Sequence, residues 1–402
     1  MTNSFKKIFG TFPTIILLGA IIFLRTKINF ASFDYQNSNF SFFWLAGRMV
    51  LEGENPYDQA QYLAGHDTYG IEWRPNKIFP YPLPLALICI PLGFFNINDA
   101  YNVWTVISLL LTAATIYILL NHWSSSAHQR LLIPIFLFIL FFGPHYLTLH
   151  TGAISALALA IVLGAILLLE KDQSLAAGIM LSLSMLKPPQ GLTILLLAGI
   201  WFLANRNWKA IGGVAIGGMA LIVVGIIQDP LWISKFAGAS EAVMDRTLGI
   251  HSNVWAYAYL ACGGSSPCST LLGAAGSLIL LAAGGFSLWQ NHAKITAWEA
   301  FNIILPIAFV STLYLWSYDQ FPYIIPIVWI TATLVERTKS YIYGFLFLIV
   351  LDLFSWFALF QQVEISKDLW SLGNTLIVLG TLLWLRSRQT SSGNLKGTPA
   401  QA

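Results

Sequence analysis

The sequence predicts an all-α, polytopic membrane protein, and both its composition and its hydropathy pattern support this fold class. Of the 402 residues, 56% are hydrophobic and only 10% are charged, which is too little polar surface to cover a soluble globule. Apolar segments recur along most of the chain, several of them close to the roughly 20 residues that cross a bilayer as a helix. The net charge of +3 is small and dispersed, so the sequence indicates no nucleic-acid partner.

The first element is an apolar run over residues 12–24, preceded by Lys6 and Lys7. It resembles a signal sequence, but no small-residue cleavage site follows it. We therefore predict an uncleaved first helix with a cytoplasmic N-terminus, according to the positive-inside rule. The loop over residues 25–78 then lies outside the membrane.

The second element is a helix within this outer loop. Apolar side chains recur at helical spacing between Phe40 and Leu51, while Arg48 falls on the opposite side. This pattern predicts an amphipathic helix that lies flat on the membrane surface. Asn39 occupies the position of its N-cap, and Gly53 the position where it should end.

Further apolar segments make up most of the remaining chain. They span residues 79–95, 100–120, 131–142, 152–169, 175–204, 210–227, 269–289, 296–315, 321–335, 340–360 and 369–385. Together with the first helix they predict a bundle of about 10–13 transmembrane or half-spanning helices. We expect residues 1–388 to form one membrane-embedded domain and residues 389–402 to form a disordered tail.

The segment 175–204 is interrupted by a lysine and two prolines at 187–189. Proline removes a backbone donor and disfavours the helical conformation of the residue before it, so the helix must break here. If the segment crosses the membrane once, residues 143–151 lie inside. If it forms two half-crossings, Lys187 and residues 143–151 lie outside, and an earlier segment must be re-entrant. The proline-rich segment 79–95 is then our candidate.

Basic residues at the other segment ends indicate which loops are cytoplasmic. They lie at 206–209, 292–294, 337–339 and 386–388, which leaves 228–268 and 316–320 outside. Cys262 and Cys268 bracket a short turn and could pair if their loop faces an oxidising compartment, although such spacing also occurs without a disulfide. Cys89 lies in an apolar run and is predicted to be inert packing.

Several separated motifs carry the polar and proline-rich residues of these segments. In chain order they read NFSFFWLAGRMVLEGENPYD, FPYPLP, LTLHTGAISALALA, AAGIMLSLSMLKPPQGL and WSYDQFPYIIP. Their order and spacing resemble glycosyltransferase family 87 over most of the chain, to about residue 330.

The resemblance implies a GT-C-type membrane enzyme that moves a sugar, usually mannose, from a polyprenyl-phosphate donor to a lipid or envelope-glycan acceptor. It also implies an active site on the outer face of the cell membrane. The expected partners are therefore the polyprenyl-phosphate lipid and the acceptor. We expect no cofactor besides the donor, and no metal, because His145 and His150 lack a third ligand nearby in sequence.

Two positions depart from the family pattern. Asn39 stands where the family usually has an aspartate, its presumed catalytic base, and Gly152-Ala153 where it commonly has a Gly-Gln pair. An amide is not a useful proton acceptor near neutral pH. Asp34, earlier in the same loop, could supply the base if the loop folds back, or it is a solvated loop acid. Asn39 remains a candidate both for the N-cap and for a hydrogen bond to a sugar hydroxyl.

Two basic residues are candidates for binding the donor phosphate. A lysine between apolar stretches is costly unless it faces a cavity, a partner or the membrane interface, so Lys187 either meets the lipid phosphate or reaches the interface. Arg48 could contact the same phosphate or, equally well, a lipid headgroup.

The other substrate-binding candidates lie in loops and at segment junctions. They are Tyr57, Tyr81, His150, His251, Asp319 and Gln320. The aromatic rings could stack on sugar, although interfacial aromatic belts account for them equally well. Asp319 and Gln320 could instead make helix-end hydrogen bonds.

Two alternatives to the enzyme hypothesis remain. A lipid or solute transporter should show paired halves and ionisable groups on more than one helix, and Lys187 is the one strong intramembrane charge in the sequence. A family relative that binds lipid or glycan without catalysis is consistent with Asn39 and Ala153.

Overall fold

The computed structural model describes residues 38–72, 76–122 and 131–393, and every regular element within them is a helix. The predicted all-α fold class is therefore confirmed. The predicted first helix over 12–24, Asp34 and the end of the predicted tail lie outside the described residues, while the last helix continues to Gly393.

The helices are numbered here in chain order. They are α1 (Asn39–Leu51), α2 (Gln59–Thr68), α3 (Leu83–Gly93), α4 (Ile97–His122), α5 (Leu132–Phe141), α6 (Gly143–Thr151), α7 (Ser155–Glu170), α8 (Ser174–Ser182), α9 (Pro188–Ala204), α10 (Trp208–Gln228), α11 (Trp232–Thr247), α12 (Val254–Ala261), α13 (Ser266–Asn291), α14 (Ala297–Ser311), α15 (Ile324–Thr338), α16 (Tyr341–Ile365) and α17 (Leu372–Gly393). Short 3₁₀ helices lie at Leu183–Leu186, His292–Lys294, Ser317–Tyr323 and Leu369–Ser371.

Five helical stretches of the described residues are long and apolar enough to cross a membrane. They are Ile97–Leu119, Trp208–Gln228, Ser266–Lys294, Tyr341–Ile365 and Leu369–Ser387. The bent pair Ile133–Phe141 and Gly143–Thr151 is a sixth candidate, its two parts inclined by 54°. Shorter helices, among them α7, α9, α14 and α15, contribute much of the main apolar core. The multi-pass architecture is thus confirmed.

Helix α1 is present, but it is not the surface helix that its spacing predicts. Ten of its 13 residues are buried, including the polar residue Ser41. Ser41 Oγ bonds to the backbone carbonyl of Ser38 at 2.8 Å and so needs no water. Helix α3 covers α1 closely, because a Cβ on Gly47 would lie 2.5 Å from the carbonyl oxygen of Cys89. The small residue allows a contact that the hydropathy pattern does not reveal.

The ends of α1 agree with the predicted limits to within one residue. Ser38 is the N-cap, so the assignment of Asn39 to that position is wrong and Asn39 is the first helical residue. The predicted end is confirmed, since the helix stops at Leu51 and Gly53 has a φ of +80°, which favours glycine.

Two contacts with the 3₁₀ helix Ser317–Tyr323 define the end of the bundle that we call the Lys187 end. Thr148 Oγ1 donates to the carbonyl oxygen of Tyr318 at 3.2 Å, and Lys187 Nζ contacts the carboxylate of Asp319. Residues 143–151 and Lys187 therefore lie together beside the segment that carries Asp319. This arrangement is the one expected from two half-crossings, the second of the two alternatives that the sequence leaves open, and the membrane topology itself stays a prediction.

Helix α3 packs against α1 along its length. Before it, the carbonyl of Tyr81 accepts a hydrogen bond from the hydroxyl of Tyr57, and at its end Arg48 Nη1 donates to the carbonyl of Gly93 at 2.8 Å. Both ends of α3 thus contact α1 or the loop that follows α1. The re-entrant interpretation of the segment 79–95 stays a prediction.

The cysteine pairing that the sequence leaves open is present in the structure. Cys262 and Cys268 form a disulfide with Cα atoms 5.8 Å apart. Cys89 is a buried free thiol, as predicted.

Candidate active site

A cavity of about 490 Å³ opens at the Lys187 end of the bundle. Its walls come from the start of α1, the segment before α3, the end of α6, the start of α9, one face of α11, the segment that follows α14 and the end of α16. The residues that matter for its chemistry are Asn39, Tyr81, Lys187, Tyr314, Trp316 and Tyr318. Most of the remaining wall is apolar.

The proline break places Lys187 at this cavity. The 3₁₀ helix Leu183–Leu186 ends just before it, and Pro188 and Pro189 form the first turn of α9, where a missing N–H leaves no helical hydrogen bond unmade. A residue before proline avoids the helical conformation, and Lys187 has a φ of −130° and a ψ of 80°. The chain therefore turns at Lys187, and its side chain reaches the segment after α14.

Lys187 and Asp319 form a buried ion pair between Nζ and Oδ1. The second carboxylate oxygen, Oδ2, accepts hydrogen bonds from Gln190 Nε2 at 3.1 Å and from the backbone N–H of Trp316 at 3.0 Å. Burial raises the pKa of Asp319, and the ammonium of Lys187 opposes that rise. Because an unpaired buried charge is strongly unfavourable, each member of the pair needs the other.

Lys187 is the one charged side chain among the described residues that line the cavity. An ammonium group has three N–H donors. Among the described residues, the ammonium of Lys187 donates a hydrogen bond to Asp319. Its Nζ also lies 5.0 Å from the ring centre of Tyr318 and 5.9 Å from that of Tyr314, within the range of cation–π attraction. No three His, Cys, Asp or Glu side chains in the described part of the chain lie close enough to hold a metal ion.

His251 lies behind the aromatic wall of the cavity. Its ring centre is 4.4 Å from that of Tyr314 and 5.1 Å from that of Trp316, and its Nε2 is 2.9 Å from Thr247 Oγ1. Burial, with the positive charge of Lys187, lowers the pKa of His251 to about 3. The imidazole is therefore neutral at physiological pH and supports the aromatic wall rather than supplying charge.

The structure brings together about half of the site residues predicted from the sequence. Asn39, Tyr81 and Lys187 line the cavity. Asp319 and His251 lie directly behind its wall, where they contact lining side chains. Asp34 lies outside the described residues.

The other predicted site residues do not line the cavity. They are Arg48, Tyr57, His150 and Gln320. Arg48 forms an ion pair with Glu52 at 2.6 Å, and Gln320 donates to the carbonyl of Ser371 at 2.8 Å. His150 stacks on Tyr146 with ring centres 5.4 Å apart. Each of these side chains already has a contact within the protein.

Gln190, Tyr314 and the residues of α11 also belong to the site, although they were not predicted from the sequence. Gln190 follows Lys187 by three residues, a spacing that places both on one side of a helical turn, so it could have been found. Helix α11 presents Phe236, Ser240 and other residues of one stripe to the cavity. That stripe carries no charge, and hydropathy alone does not distinguish it from a lipid-facing surface.

A polar cluster fixes the start of α11. Asp229 Oδ2 accepts hydrogen bonds from Lys235 Nζ and Asn55 Nδ2, both at 2.7 Å. Burial raises the pKa of Asp229, but these hydrogen bonds together outweigh burial and hold the pKa below its usual value. The cluster joins one wall of the cavity to the loop that follows α1.

Comparison with known proteins identifies the family. The sequence model of glycosyltransferase family 87 matches residues 79–316, more than half of the chain, and this match includes Lys187 and the aromatic wall up to Trp316. Searches against curated proteins and solved structures gave no significant match. The family match agrees with the multi-pass helical fold. The chain belongs to glycosyltransferase family 87, and it is a membrane glycosyltransferase.

Proposed function

We propose that the protein is a GT-C-type enzyme that transfers mannose from polyprenyl-phosphate mannose to a lipid or envelope-glycan acceptor. The reaction takes place in the cavity beside Lys187, at the outer face of the cell membrane. The observation that carries the proposal is the buried ammonium of Lys187, paired with Asp319 in a mostly apolar wall. Charges held inside a membrane bundle are costly and typically mark a ligand or substrate site, even when they are paired with each other.

The parts of a lipid-linked sugar correspond to parts of the cavity wall. Lys187 suits the phosphate, and the rings of Tyr81 and Trp316, with the amide of Asn39, suit a sugar, which has both apolar faces and hydroxyl groups. The apolar stripe of α11 suits the first part of the polyprenyl chain. A cavity of about 490 Å³ is of the size that holds a small ligand, so the rest of a polyprenyl chain extends into the bilayer.

The proposed reaction needs a base and a site for the leaving group. The base takes the proton of the acceptor hydroxyl, whose oxygen forms a bond to the anomeric carbon of the sugar. The bond between that carbon and the phosphate oxygen breaks, and polyprenyl phosphate leaves with the electron pair. Lys187 stabilises the charge that develops on this phosphate. Asp34 is the proposed base, because the chain that follows it leads to Asn39 in the cavity wall.

The outer location rests on the distribution of charge. Helices α9 and α15 start beside Lys187 and Asp319, and the basic residues at 206–209 and 337–339 follow their far ends. Arg337 Nη1 donates to the carbonyl of Leu385 at 2.5 Å, which brings the basic residues after Leu385 to the same end. The positive-inside rule assigns that end to the cytoplasm. A disulfide between Cys262 and Cys268 is consistent with an oxidising exterior at the other end.

The proposal is tested by transfer of radiolabelled mannose in membranes that contain the protein, with membranes from the same cells lacking it as control. We expect label from polyprenyl-phosphate mannose to enter membrane lipid or glycan, and label from a water-soluble nucleotide-linked mannose not to enter. Binding of the lipid donor without transfer would contradict the proposal and would support a relative that binds lipid or glycan without catalysis.

A further inference from the structure

The segment over residues 316–320 needs support from elsewhere in the molecule. Trp316 and Tyr318 line the cavity, and Asp319 forms the ion pair with the ammonium of Lys187. Most of the segment belongs to the 3₁₀ helix Ser317–Tyr323, whose hydrogen-bond geometry is poorer than that of an α-helix. The loop between α16 and α17 supplies the missing support.

Asp368 is the residue of that loop that makes the connecting hydrogen bonds. Its side chain is fully buried, its Oδ2 accepts a hydrogen bond from the backbone N–H of Ser317, and its Oδ1 accepts one from Ser371 Oγ at 2.5 Å. Its own N–H donates to the carbonyl of Ile250 at 2.7 Å. A single residue therefore joins the start of the 3₁₀ helix, the loop before α12 and the start of α17.

Further hydrogen bonds fasten the same two segments to each other. Gln320 Nε2 donates to the carbonyl of Ser371 at 2.8 Å, and Asn374 Nδ2 donates to Gln320 Oε1 at 3.0 Å. Ser317 Oγ donates to Gln362 Oε1 at 3.3 Å. Gln320 is thus used to hold the segment rather than to line the cavity.

We propose that Asp368 is a positioning residue of the transferase, which holds Trp316, Tyr318 and Asp319 in place for the reaction in the cavity. The kinetic part of this role rests on the proposed function, because it requires the donor to bind there. Asp368 lies beyond residues 79–316, the part of the chain that the family model matches.

Asp368 acts through its oxygens rather than through its charge. Burial raises the pKa of Asp368 to about 7, the hydrogen bonds from Ser371 and Ser317 oppose that rise, and the neighbouring Asp319 adds to it. A neutral amide also offers an oxygen to the N–H of Ser317, whereas alanine leaves that buried N–H without an acceptor. Asparagine should therefore substitute for Asp368, and alanine should not.

The test compares Asp368→Ala and Asp368→Asn with Glu364→Ala, an exposed acid on the same helix–loop junction, as the matched control. Two measurements are made on full-length purified protein: hydrogen exchange at the amides of residues 316–320, and kcat/KM for transfer from polyprenyl-phosphate mannose. For Asp368→Ala we expect exchange to be faster and kcat/KM to be lower, each by about tenfold, the effect of leaving the buried N–H of Ser317 without an acceptor. The other two variants should stay within about twofold of wild type.

Ser371→Ala removes one hydrogen bond to the same carboxyl group and serves if Asp368→Ala does not fold; it should show the same changes at smaller size. Unchanged exchange in Asp368→Ala would overturn the proposal, as would faster exchange with unchanged kcat/KM. An equal loss in Asp368→Asn would also overturn it, because the charge would then matter. A wild-type protein without transfer would overturn the proposed function instead, while the exchange measurement still decides whether Asp368 holds the segment.

Discussion

Replacing Lys187 with methionine is expected to lower the rate of sugar transfer by about 10²–10³-fold, the usual loss when one preorganised donor to a developing negative charge is removed. Methionine is of similar length and can keep the packing against Tyr314 and Tyr318, but it has neither a charge nor a donor. The donor should also bind more weakly, because its phosphate is already charged before the reaction. Transfer rate and donor affinity of the purified variant measure both effects.

A second substitution separates the role of Lys187 in the reaction from its role in folding. Lys187→Met alone leaves the buried carboxylate of Asp319 without its counter-charge, which typically costs about 3–5 kcal/mol of folding free energy. Combining it with Asp319→Asn removes both charges, so thermal stability should largely return while transfer stays low. Recovery of transfer in the stable double variant would contradict the assignment of Lys187 to the phosphate.

Replacing Asp34 with asparagine is expected to lower kcat by about 10²–10⁴-fold, the usual contribution of a general base, with little change in donor binding. The expectation follows from the amide at position 39, which lines the cavity but cannot accept the proton. Single-turnover transfer and donor binding, measured on the same preparation, distinguish loss of chemistry from loss of binding.

Two further variants sharpen this test. Asp58→Asn is the matched control, because Asp58 is an acid of the same loop that caps α2 by accepting from the N–H of Gln61, and asparagine caps equally well. Asn39→Asp in the Asp34→Asn background places a carboxylate in the cavity wall and should restore part of the activity. Full activity of Asp34→Asn alone would show that the base lies elsewhere.

The fold class and the helix break could be predicted because both follow from properties local in sequence. Apolar segments long enough to cross a bilayer indicate membrane-spanning helices, and two consecutive prolines break a helix in almost any surroundings. The burial of α1 could not be predicted, since it depends on which surface covers it. Gly47 permits the close approach of α3, but the sequence does not show which helix packs against this glycine.

Part of the candidate site could be predicted, because some of its residues stand out from their neighbours in sequence. Lys187 stands out as a charge between apolar stretches, and the motif around Asp319 is conspicuous at a segment junction. Their pairing brings together residues far apart in sequence, so it required the fold. Asp368 was missed altogether, because a single acid in a short loop carries no pattern, and its importance arises only where three loops meet.

The most direct test of the central claim is an electron cryo-microscopy structure of the protein with polyprenyl-phosphate mannose bound. We predict a phosphate oxygen at hydrogen-bonding distance, about 3 Å, from Lys187 Nζ, with the sugar between Asn39 and the aromatic wall. A phosphate bound outside this cavity, with Lys187 contacting Asp319 alone, would contradict the account.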